Sequence, residues 1–419
     1  MRSHSLAVVV LAAGRGTRMK SDTPKALQKL CGKPMLWFLL QRAGELSPKK
    51  TAVVAGHRID SVRRFVGRTV EVVEQKELLG SGHAVMQAAP FLRKFKGSLL
   101  VLYCDTPLIS SRTLRNLLET HRRKSADCTL LSTCARNPWG YGRIQRHADG
   151  TVRGVVEENA ASPEEKKIRE INVGCVVFRS DRLWEALKKI RRNAKKNEYY
   201  LTDVIGVLAK TGRVEAVVTE DQEEVLGVNT RRDLVSLQRI LKRRVAERWL
   251  DRGVDVQDPD TTTIEEGVEI GADTSILPYT VIQEGSKIGR RCVIGPFARI
   301  RGGSRIGEEV TIGNFVEVVR STIGDGTQVK HLSYIGDAEI GSWVNVGAGS
   351  ITANYDGKAK RRTVIKDRAQ IGSGTVLIAP VTVGRRAVTG AGAVVTKGTY
   401  VADGAVVAGL PARPLNSRK

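Results

Sequence analysis

A six-residue period in the C-terminal part of this chain most constrains its fold. From about residue 262 onward, an aliphatic residue followed by glycine recurs, often at intervals of six or a multiple of six. This pattern predicts a left-handed parallel β-helix of hexapeptide repeats, in which each aliphatic side chain points into a narrow prism and glycine permits the corner. Three hexads would form one coil, and stacked coils would share a core; a glycine-rich β-sandwich is the alternative. The repeated positions are Ile270, Ile288, Ile294, Ile306, Ile312, Ile323, Ile335, Ile340, Val346, Ile371 and Val383.

The first part of the chain, residues 1–230, follows another pattern, because short apolar runs alternate with amphipathic helical segments such as 35–46 and 82–91. This alternation predicts an α/β domain with a mostly parallel, doubly wound, Rossmann-like sheet that binds ligands at the carboxyl ends of its strands. The predicted strands are residues 6–10, 51–55, 70–74, 98–103, 128–133 and 173–178.

Between these two parts, residues 231–252 are predicted to form one long linking helix, and residues 253–419 the β-helix domain. Arginines and lysines lie on the other faces of the helix, and no glycine or proline interrupts it before Gly253. Its apolar positions recur at helical spacing and are Leu234, Leu237, Leu241, Val245 and Trp249.

Composition and charge narrow the class of protein. A chain of 419 residues, 41% of them hydrophobic, is long enough for two or three globular domains. The six cysteines form no Cys-x-x-Cys pair, and the N-terminal apolar run leads directly into a glycine turn. We therefore expect reduced cysteines, no secretion signal, no membrane span and a cytoplasmic location. The net charge of +24 suits anionic substrates; nucleic-acid binding is the alternative, which scattered basic clusters and 5% aromatic residues do not favour.

The glycine turn after the first strand is a candidate phosphate site. Gly14 and Gly16 let the backbone approach a ligand closely, and successive free N–H groups in such a turn suit an anion. Arg18 and Lys25 add positive charge beside it. An ordinary turn between strand and helix is the alternative for the glycines alone.

Asp105 and Asn229 are candidate ligands of Mg²⁺. Asp105 follows the strand 98–103, and a carboxylate at that point can hold Mg²⁺ between triphosphate oxygens. Asn229 supplies an amide oxygen in Gly-Val-Asn. Taken alone, the first could be a helix-capping residue and the second a turn residue.

Other polar positions suit recognition of a base and a sugar. Gln75 and the glycine turn 79–84 could pair with a uracil edge. Gly142, Glu157 and Asn172 are polar or glycine positions of the kind found at strand ends, where sugar hydroxyls need polar partners, although each in isolation is an ordinary surface residue.

Together these strings, with Glu-Tyr-Tyr-Leu-Thr-Asp at 198–203, resemble the uridylyltransferase half of the bacterial bifunctional N-acetylglucosamine-1-phosphate uridylyltransferase / glucosamine-1-phosphate acetyltransferase family. The resemblance implies that Lys25 and Arg18 are catalytic and that Asp105 and Asn229 hold Mg²⁺. It implies UTP binding by Leu11, Ala12, Ala13, Gly14, Lys25, Gln75, Gly80 and Ser81. It implies an amino-sugar site formed by Tyr103, Gly142, Glu157, Asn172 and Asn229.

His331 is the candidate base in the second domain, because acetyl transfer from acetyl-CoA to an amine needs a group that titrates near neutral pH. Glu317 could orient it. A single histidine on a solenoid could equally be a surface residue, and the interruption of the hexads at 351–357 could be a tolerated insertion.

The resemblance extends to these strings and implies that His331 is the base and that Ser373 helps the oxyanion. It further implies a homotrimer whose acetyltransferase site lies between subunits. The remaining residues that it places in this site are Arg301, Glu317, Tyr334, Asn345, Ala348, Asn354, Tyr355 and Ala391.

Two departures keep rival hypotheses open. The family's substrate-binding lysine is Val319 here, next to Arg320, and a C-terminal arginine that meets CoA has no clear match except Arg413. The principal hypothesis is a bifunctional enzyme that acetylates glucosamine 1-phosphate and then transfers UMP to the product. The rivals are a uridylyltransferase with a scaffolding β-helix, a catalytically silent sensor subunit, and a basic nucleic-acid binder.

Overall fold

In the computed structural model, which describes residues 5–194 and 196–414, the chain forms two units, one ending at Leu237 and the other beginning at Gln238. The strands of the first unit are β1 Leu6–Ala12, β2 Lys29–Leu30, β3 Lys33–Pro34, β4 Lys50–Ala55, β5 Glu71–Glu74, β6 Ser98–Tyr103, β7 Cys128–Cys134, β8 Arg143–Arg146, β9 Val152–Val156, β10 Glu170–Arg179 and β11 Val214–Val218. Its helices are α1 Met35–Gly44, α2 Ile59–Val66, α3 Ser81–Gln87, α4 Ala89–Leu92, α5 Ser111–Arg123, α6 Ser180–Leu187 and α7 Leu201–Ala209, and α8 Arg231–Leu250 follows.

The main sheet has the order β11-β7-β10-β6-β1-β4-β5. Its neighbours are parallel except at β10, which runs antiparallel to both β6 and β7. The predicted mostly parallel sheet and its six strands are confirmed. The hairpin β8–β9, which joins the sheet through β10, and the edge strand β11 were not predicted, because they are short and carry charged residues. The helix predicted at 82–91 is split into α3 and α4, and Pro90 stands at the start of α4.

Strand β1 lies at the centre of this unit and serves two cores. Leu6, Val8 and Val10 pack on one face of the sheet, whereas Val9 and Leu11 pack on the other. This alternation follows from the two-residue period of a strand, and it explains why the run is apolar at every position. Because β1 and β6 are parallel neighbours, their carboxyl ends and the loops that follow them lie at the same edge of the sheet.

His121 of α5 lies inside this unit, where its Nδ1 is 3.0 Å from Oγ1 of Thr129. Burial lowers its pKa to about 4. Since an unfolded histidine binds a proton near pH 6.5, acid favours unfolding as the pH falls from about 6.5 to about 4, by up to about 3 kcal/mol. We expect His121→Asn to remove this part of the pH dependence. Urea unfolding of both proteins at pH 7 and pH 5 measures it, and an unchanged difference between the two pH values would contradict the assignment.

The second unit is a parallel β-helix of three sheets. Solenoid sheet 1 contains β12 Asp255–Val256, β15 Ser275–Ile276, β18 Val293–Ile294, β21 Thr311–Asn314, β24 Gln328–His331, β27 Asn345–Val346, β30 Gln370–Ile371, β33 Val388–Thr389, β36 Val406–Ala408 and β37 Arg413–Pro414. Solenoid sheet 2 contains β13 Thr263–Ile264, β16 Val281–Ile282, β19 Arg299–Ile300, β22 Glu317–Val319, β25 Tyr334–Gly336, β28 Ile351–Ala353, β31 Val376–Ile378 and β34 Val394–Val395. Solenoid sheet 3 contains β14 Glu269–Ile270, β17 Lys287–Ile288, β20 Arg305–Ile306, β23 Thr322–Ile323, β26 Ala338–Ile340, β29 Thr363–Ile365, β32 Val381–Val383 and β35 Tyr400–Val401.

The core of the β-helix is the stack of repeated aliphatic residues. Every one of the hexad positions identified in the sequence is buried, with exposures from 0% at Ile312 to 9% at Ile270. All strand pairs between coils are parallel apart from the terminal pair β36–β37. The predicted solenoid is therefore confirmed, and the interruption at 351–357 contributes a loop that lengthens one coil.

Helix α8, Arg231–Leu250, occupies all but the last two residues of the segment predicted as a linking helix. Its buried side chains recur at every fourth position, from Leu237 through Leu241 and Val245 to Trp249. The division of the chain into two units falls within this helix. Among the described residues, the structure contains no helix with both the length and the apolar character that crossing a membrane requires.

Candidate active sites

The glycine turn after β1 forms one wall of a cavity of about 470 Å³ in the first unit. Tyr103, Cys104 and Asp105, at the end of the neighbouring strand β6, form another wall. All the residues predicted to bind UTP line this cavity: Leu11, Ala12, Ala13, Gly14, Lys25, Gln75, Gly80 and Ser81. The structure thus brings together groups that lie up to seventy residues apart in sequence.

Lys25 joins the two predicted metal ligands. Its Nζ lies 2.8 Å from Oδ2 of Asp105 and 3.1 Å from Oδ1 of Asn229. Arg18 donates to the same Asn229 oxygen at 3.0 Å. Four residues that the sequence analysis singled out separately therefore form one connected cluster.

Backbone contacts fix the two oxygen donors. Asp105 accepts a hydrogen bond at its main-chain oxygen from the N–H of Val228, at 2.8 Å, which holds the segment before α8 against the end of β6. Asn229 lies two residues before the first residue of α8, where the carboxylate of Asp233 accepts from the N–H groups of Asn229 and Thr230 at 2.8 and 2.7 Å. This helix-capping arrangement orients Asn229 toward Asp105. Asp233 was not predicted, although Thr-x-x-Asp before an apolar helix is a recognisable capping signal.

The donor set fits a divalent cation. The oxygens of Asp105 and Asn229 converge on a single positive group, the Lys25 ammonium, so they are already placed to share a cation. Mg²⁺ is commonly held by one or two protein carboxylates together with substrate phosphates. No cluster of three His, Cys, Asp or Glu side chains with metal-binding geometry occurs in the described ranges.

Gln75 and Gly80 form the far side of the cavity. Gln75 is 3% exposed, and its Nε2 donates to the carbonyl of Gly80 at 3.0 Å and lies 3.1 Å from Nδ1 of His83. Gly80 has φ +94°, and a Cβ there would come within 2.6 Å of the Tyr199 carbonyl, so this position needs glycine. Tyr199 belongs to the string at 198–203, whose packing role the sequence analysis did not identify.

The predicted sugar-binding residues gather beside Tyr103. The N–H of Asn172 donates to the carbonyl of Gly142 at 2.8 Å, and a Cβ on Gly142 would lie 3.6 Å from both carboxylate oxygens of Glu157. Glu157 accepts from Oγ1 of Thr202 at 2.8 Å, a contact that was not predicted. Burial raises the pKa of Tyr103, and the negative charges of Glu157 and Asp105 add to that effect. Tyr103 also lines the nucleotide cavity, together with Asp105.

Gly174 supports the Tyr103 ring. A Cβ at Gly174 would lie 3.0 Å from the ring, whereas Gly150, with nearly the same φ (+84° against +79°), has no atom within 4 Å of such a Cβ. We expect Gly174→Ala to cost about 1–3 kcal/mol more than Gly150→Ala, because only the former displaces a packed ring. Urea unfolding compares the two variants. Gly174→Ala should also raise KM for the sugar phosphate, and equal effects of the two variants would contradict the contact.

In the second unit, His331 lies on a column of residues along one corner of the β-helix. Gln328, Asn345, Gln370 and Val388 are paired in register in successive coils of solenoid sheet 1. Each member of the column lies three residues after one of these paired positions, so the members lie above one another at the end of the sheet. The N–H of Gly374 donates to the carbonyl of Ala348, and that of Gly392 to Ser373, both at 2.7 Å. The members predicted to act in acetyl transfer are His331, Ala348, Ser373 and Ala391.

Within one chain, the side chain of His331 forms its hydrogen bond with Asn314 and not with Glu317, whose role in orienting the histidine stays a prediction. Nδ1 of His331 lies 3.1 Å from Oδ1 of Asn314, the residue directly paired with it in the preceding coil. Glu317 belongs to solenoid sheet 2, and its carboxylate lies 3.6 Å from Arg301 and 3.7 Å from Arg299. Asn314 belongs to the string Gly-Asn-Phe-Val-Glu at 313–317. It contacts the histidine because it lies one coil below it, and only the register between coils shows this.

A second group of polar residues lies at the carboxyl ends of β22, β25 and β28 in solenoid sheet 2. Arg320 makes a bidentate ion pair with Asp337, at 2.7 Å for both bonds, and Nδ2 of Asn354 donates to the same carboxylate. The Arg320 contact holds the pKa of Asp337 below its usual range. Val319 is 1% exposed. The charge of the neighbouring Arg320 is paired with Asp337 within the chain.

The other predicted residues of the second site are more exposed. Tyr355 is 63% exposed, and its hydroxyl donates to the Gly357 carbonyl at 2.8 Å. Asn345 is exposed on solenoid sheet 1, and Tyr334 is half-buried on solenoid sheet 2. Among the described residues, the side chain of His331 hydrogen-bonds to Asn314, whereas those of Asn354 and Tyr355 hydrogen-bond to Asp337 and Gly357.

Comparison with known proteins agrees with this two-part arrangement. Residues 8–205 match the MobA-like NTP transferase domain. Residues 261–302, 285–320 and 362–397 match the bacterial transferase hexapeptide family, described as six repeats.

The chain is also similar to full-length relatives over nearly all of its length. It is 42% identical to the bifunctional protein GlmU of Shouchella clausii, over 93% of each chain. It is 42% identical to that of Caldanaerobacter subterraneus, over 94% of this chain and 93% of the relative, and 44% identical to that of Pelotomaculum thermopropionicum, over 90% of each. The chain belongs to the GlmU family.

Membership of the GlmU family confirms the resemblance inferred from the sequence, the fold class and the class of enzyme, a transferase with a nucleotidyltransferase half and a hexapeptide acyltransferase half. The two activities expected for GlmU proteins, uridylyl transfer and acetyl transfer, correspond to the two units described above.

Proposed function

We propose that the β-helix acetylates glucosamine 1-phosphate with acetyl-CoA and that the first unit then transfers UMP from UTP to N-acetylglucosamine 1-phosphate. The observation that carries this proposal is the cluster of Lys25, Arg18, Asp105 and Asn229 at the mouth of a cavity lined by the predicted nucleotide site. Such a cluster suits chemistry on a triphosphate.

In the uridylyl transfer, a phosphate oxygen of the sugar phosphate would attack the α-phosphorus of UTP, and the bond to the β-phosphate would break to release pyrophosphate. Lys25 and Arg18 would neutralise charge on the phosphates and hold them in line. Asp105 and Asn229 would hold Mg²⁺, which supplies further neutralisation of the triphosphate charge. Gln75 would face the base.

The amino-sugar part would lie against Tyr103, Gly142, Glu157 and Asn172. The carboxylate of Glu157 can accept from sugar hydroxyls, and Gly142 lies next to it, where a Cβ would come within 2.8 Å of Cγ1 of Val155. The hydrogen bond from Thr202 fixes the Glu157 side chain in this orientation. These roles rest on the gathering of the four residues next to the nucleotide cavity.

In the acetyl transfer, the amine nitrogen would attack the thioester carbon, its proton would pass to His331, and the CoA thiolate would leave. Donation from Nδ1–H to Asn314 leaves Nε2 unprotonated and able to accept that proton. Ser373, on the same column, would donate to the developing oxyanion, and the small side chains of Ala348 and Ala391 would leave room for CoA.

We further propose that the acetyltransferase site is completed between subunits of a homotrimer. Tyr279, Phe297 and Phe315 stack with ring centroids 4.7 and 5.1 Å apart and, with Leu332, form an exposed ladder beside the His331 column. Exposed apolar strips of this kind favour association. A second subunit would supply Arg301, Tyr334, Asn345, Asn354 and Tyr355, or a subset of them, to the histidine.

The test is a pair of assays on the full-length protein: thiol release from acetyl-CoA with glucosamine 1-phosphate, and pyrophosphate release from UTP with N-acetylglucosamine 1-phosphate. We expect both products. A second candidate, a uridylyltransferase with a scaffolding β-helix, is favoured by the buried Val319. Pyrophosphate release without thiol release, from protein shown to be trimeric, would favour that candidate, and absence of both would reject the proposal.

A further inference from the structure

A second cavity in the first unit, of about 670 Å³, lies at the edge of the sheet opposite the catalytic cluster. Its wall includes Ser98, the first residue of β6, whereas Tyr103, the last residue of that strand, lines the nucleotide cavity. At about 3.3 Å per residue, the two cavities are separated by roughly 17 Å of strand. The second cavity is therefore distinct from the proposed active site.

Positive charge dominates this cavity. The segment between α4 and β6 contributes Arg93, Lys94 and Lys96, and the last turn of α5 contributes Arg122. Within the described part of the chain, the first three side chains make no ion pair or side-chain hydrogen bond. Three neighbouring cations without counter-charges repel one another, and a bound anion would relieve that repulsion.

The acidic groups nearby do not neutralise these cations, because other arginines pair with them. Asp181, which also lines the cavity, lies 2.6 Å from Arg179. Asp127 lies 2.9 Å from Arg179 and 3.5 Å from Arg182. Among the described residues, the unpaired positive charge offered to a ligand thus comes from the segment 93–96.

The segment that carries the cations is held in place before any ligand binds. Oγ of Ser180 donates to the carbonyl of Phe95 at 2.8 Å and accepts from the N–H of Gly97 at 3.2 Å. Gly97 has φ +147°, and a Cβ there would lie 2.2 Å from the Ser5 carbonyl, so the chain crosses closely at this point. Phe95 packs partly against the core and gives the cavity an apolar wall. A fixed, concave, basic site of this size suits a compact ligand.

We propose that this cavity binds a small phosphorylated anion of nucleotide size, at a site separate from the active site. Phosphate groups would bind Arg93, Lys94 and Lys96, and the remainder of the ligand would lie along Phe95. The site also gives a role to the basic run at 122–124, which the proposed reactions do not use. Nucleic acid is the competing occupant, but a concave cavity bounded by β6 and α6 suits a compact ligand better than an extended strand.

The test compares two triple variants of the full-length protein by calorimetric titration with inorganic triphosphate. The first is Arg93→Ala, Lys94→Ala, Lys96→Ala. The matched control is Lys188→Ala, Lys189→Ala, Arg191→Ala, which removes the same charges from exposed positions outside the cavity. We expect the first variant to lose a triphosphate-binding event that the native protein and the control retain, or to bind at least about tenfold more weakly there, because charged hydrogen bonds are lost.

Glutamine at the same three positions should give the same loss while preserving most of the side-chain bulk. Pyrophosphate release should stay within about twofold of native in all variants, which shows that they are folded. Repeating the titration with ATP distinguishes a nucleotide from a simple polyphosphate as the source of the phosphate groups. Equal triphosphate binding by the native protein and all variants would overturn the proposal. It would also be overturned if, in a parallel titration with single-stranded RNA, the first variant lost only RNA binding.

Discussion

Replacing Asp105 by asparagine should reduce UMP transfer by about 10²–10³-fold and leave acetyl transfer unchanged. The substitution keeps the size of the side chain but removes the negative charge that Lys25 contacts at 2.8 Å. It therefore weakens the proposed Mg²⁺ site and also leaves Lys25 without its carboxylate partner. Pyrophosphate release and thiol release, measured on the same preparation, check the expectation.

The matched control is Asp60→Asn, since Asp60 makes an exposed ion pair with Arg63 in α2, outside the nucleotide cavity. Surface pairs of this type contribute little, so both activities should stay near the native values. If Asp105→Asn lowers both activities in parallel, the two sites are not independent, and the separation of functions proposed above is wrong.

Replacing His331 by alanine should reduce thiol release by about 10²–10⁴-fold while UMP transfer continues. The histidine is exposed at the end of β24, and its hydrogen bond to Asn314 leaves the other ring nitrogen to accept a proton. No other residue on its column, Ala348, Ser373 or Ala391, carries a side chain that titrates near neutral pH. Loss of the imidazole therefore removes the base from that corner of the β-helix.

His147→Ala is the control for this variant, because His147 is an exposed histidine of the first unit, in the turn between β8 and β9. It should change neither activity. Asn314→Ala adds a finer test: if Asn314 only fixes the tautomer of His331, kcat for acetylation should fall more than KM rises, and its pH profile should change. Native thiol release by His331→Ala would exclude the histidine as the base.

Much of both folds could be predicted from the sequence, because their signals are local. The buried side chains of the β-helix repeat at a fixed period, so the place of a residue in the repeat indicates whether its side chain is buried. All the hexad positions identified in the sequence are buried. The apolar run of β1 followed by Gly14 and Gly16 is likewise a local signal. That Lys25, Asp105 and Asn229 belong to one site could be predicted only from the resemblance to a known family.

The direction of β10 could not be predicted, because a strand's apolar pattern is the same in parallel and antiparallel pairing. Its neighbours β6 and β7 lie more than thirty residues away in sequence, and the pairing with them decides its direction. The same limit applies to Asn314 and Glu317, which both lie close to His331 in the repeat. Only the register between coils shows that Asn314 lies against the histidine.

The sequence by itself determined which segments bury apolar surface and where the backbone can turn, because these properties depend on a residue and its close neighbours. The tertiary structure alone decided which distant polar groups meet. It placed Lys25 between Asp105 and Asn229 and paired Arg320 with Asp337. Among the residues that the structure describes, it also left Arg93, Lys94 and Lys96 together without counter-charges. Charge interactions act through space rather than along the chain, so their partners are fixed only when the chain has folded.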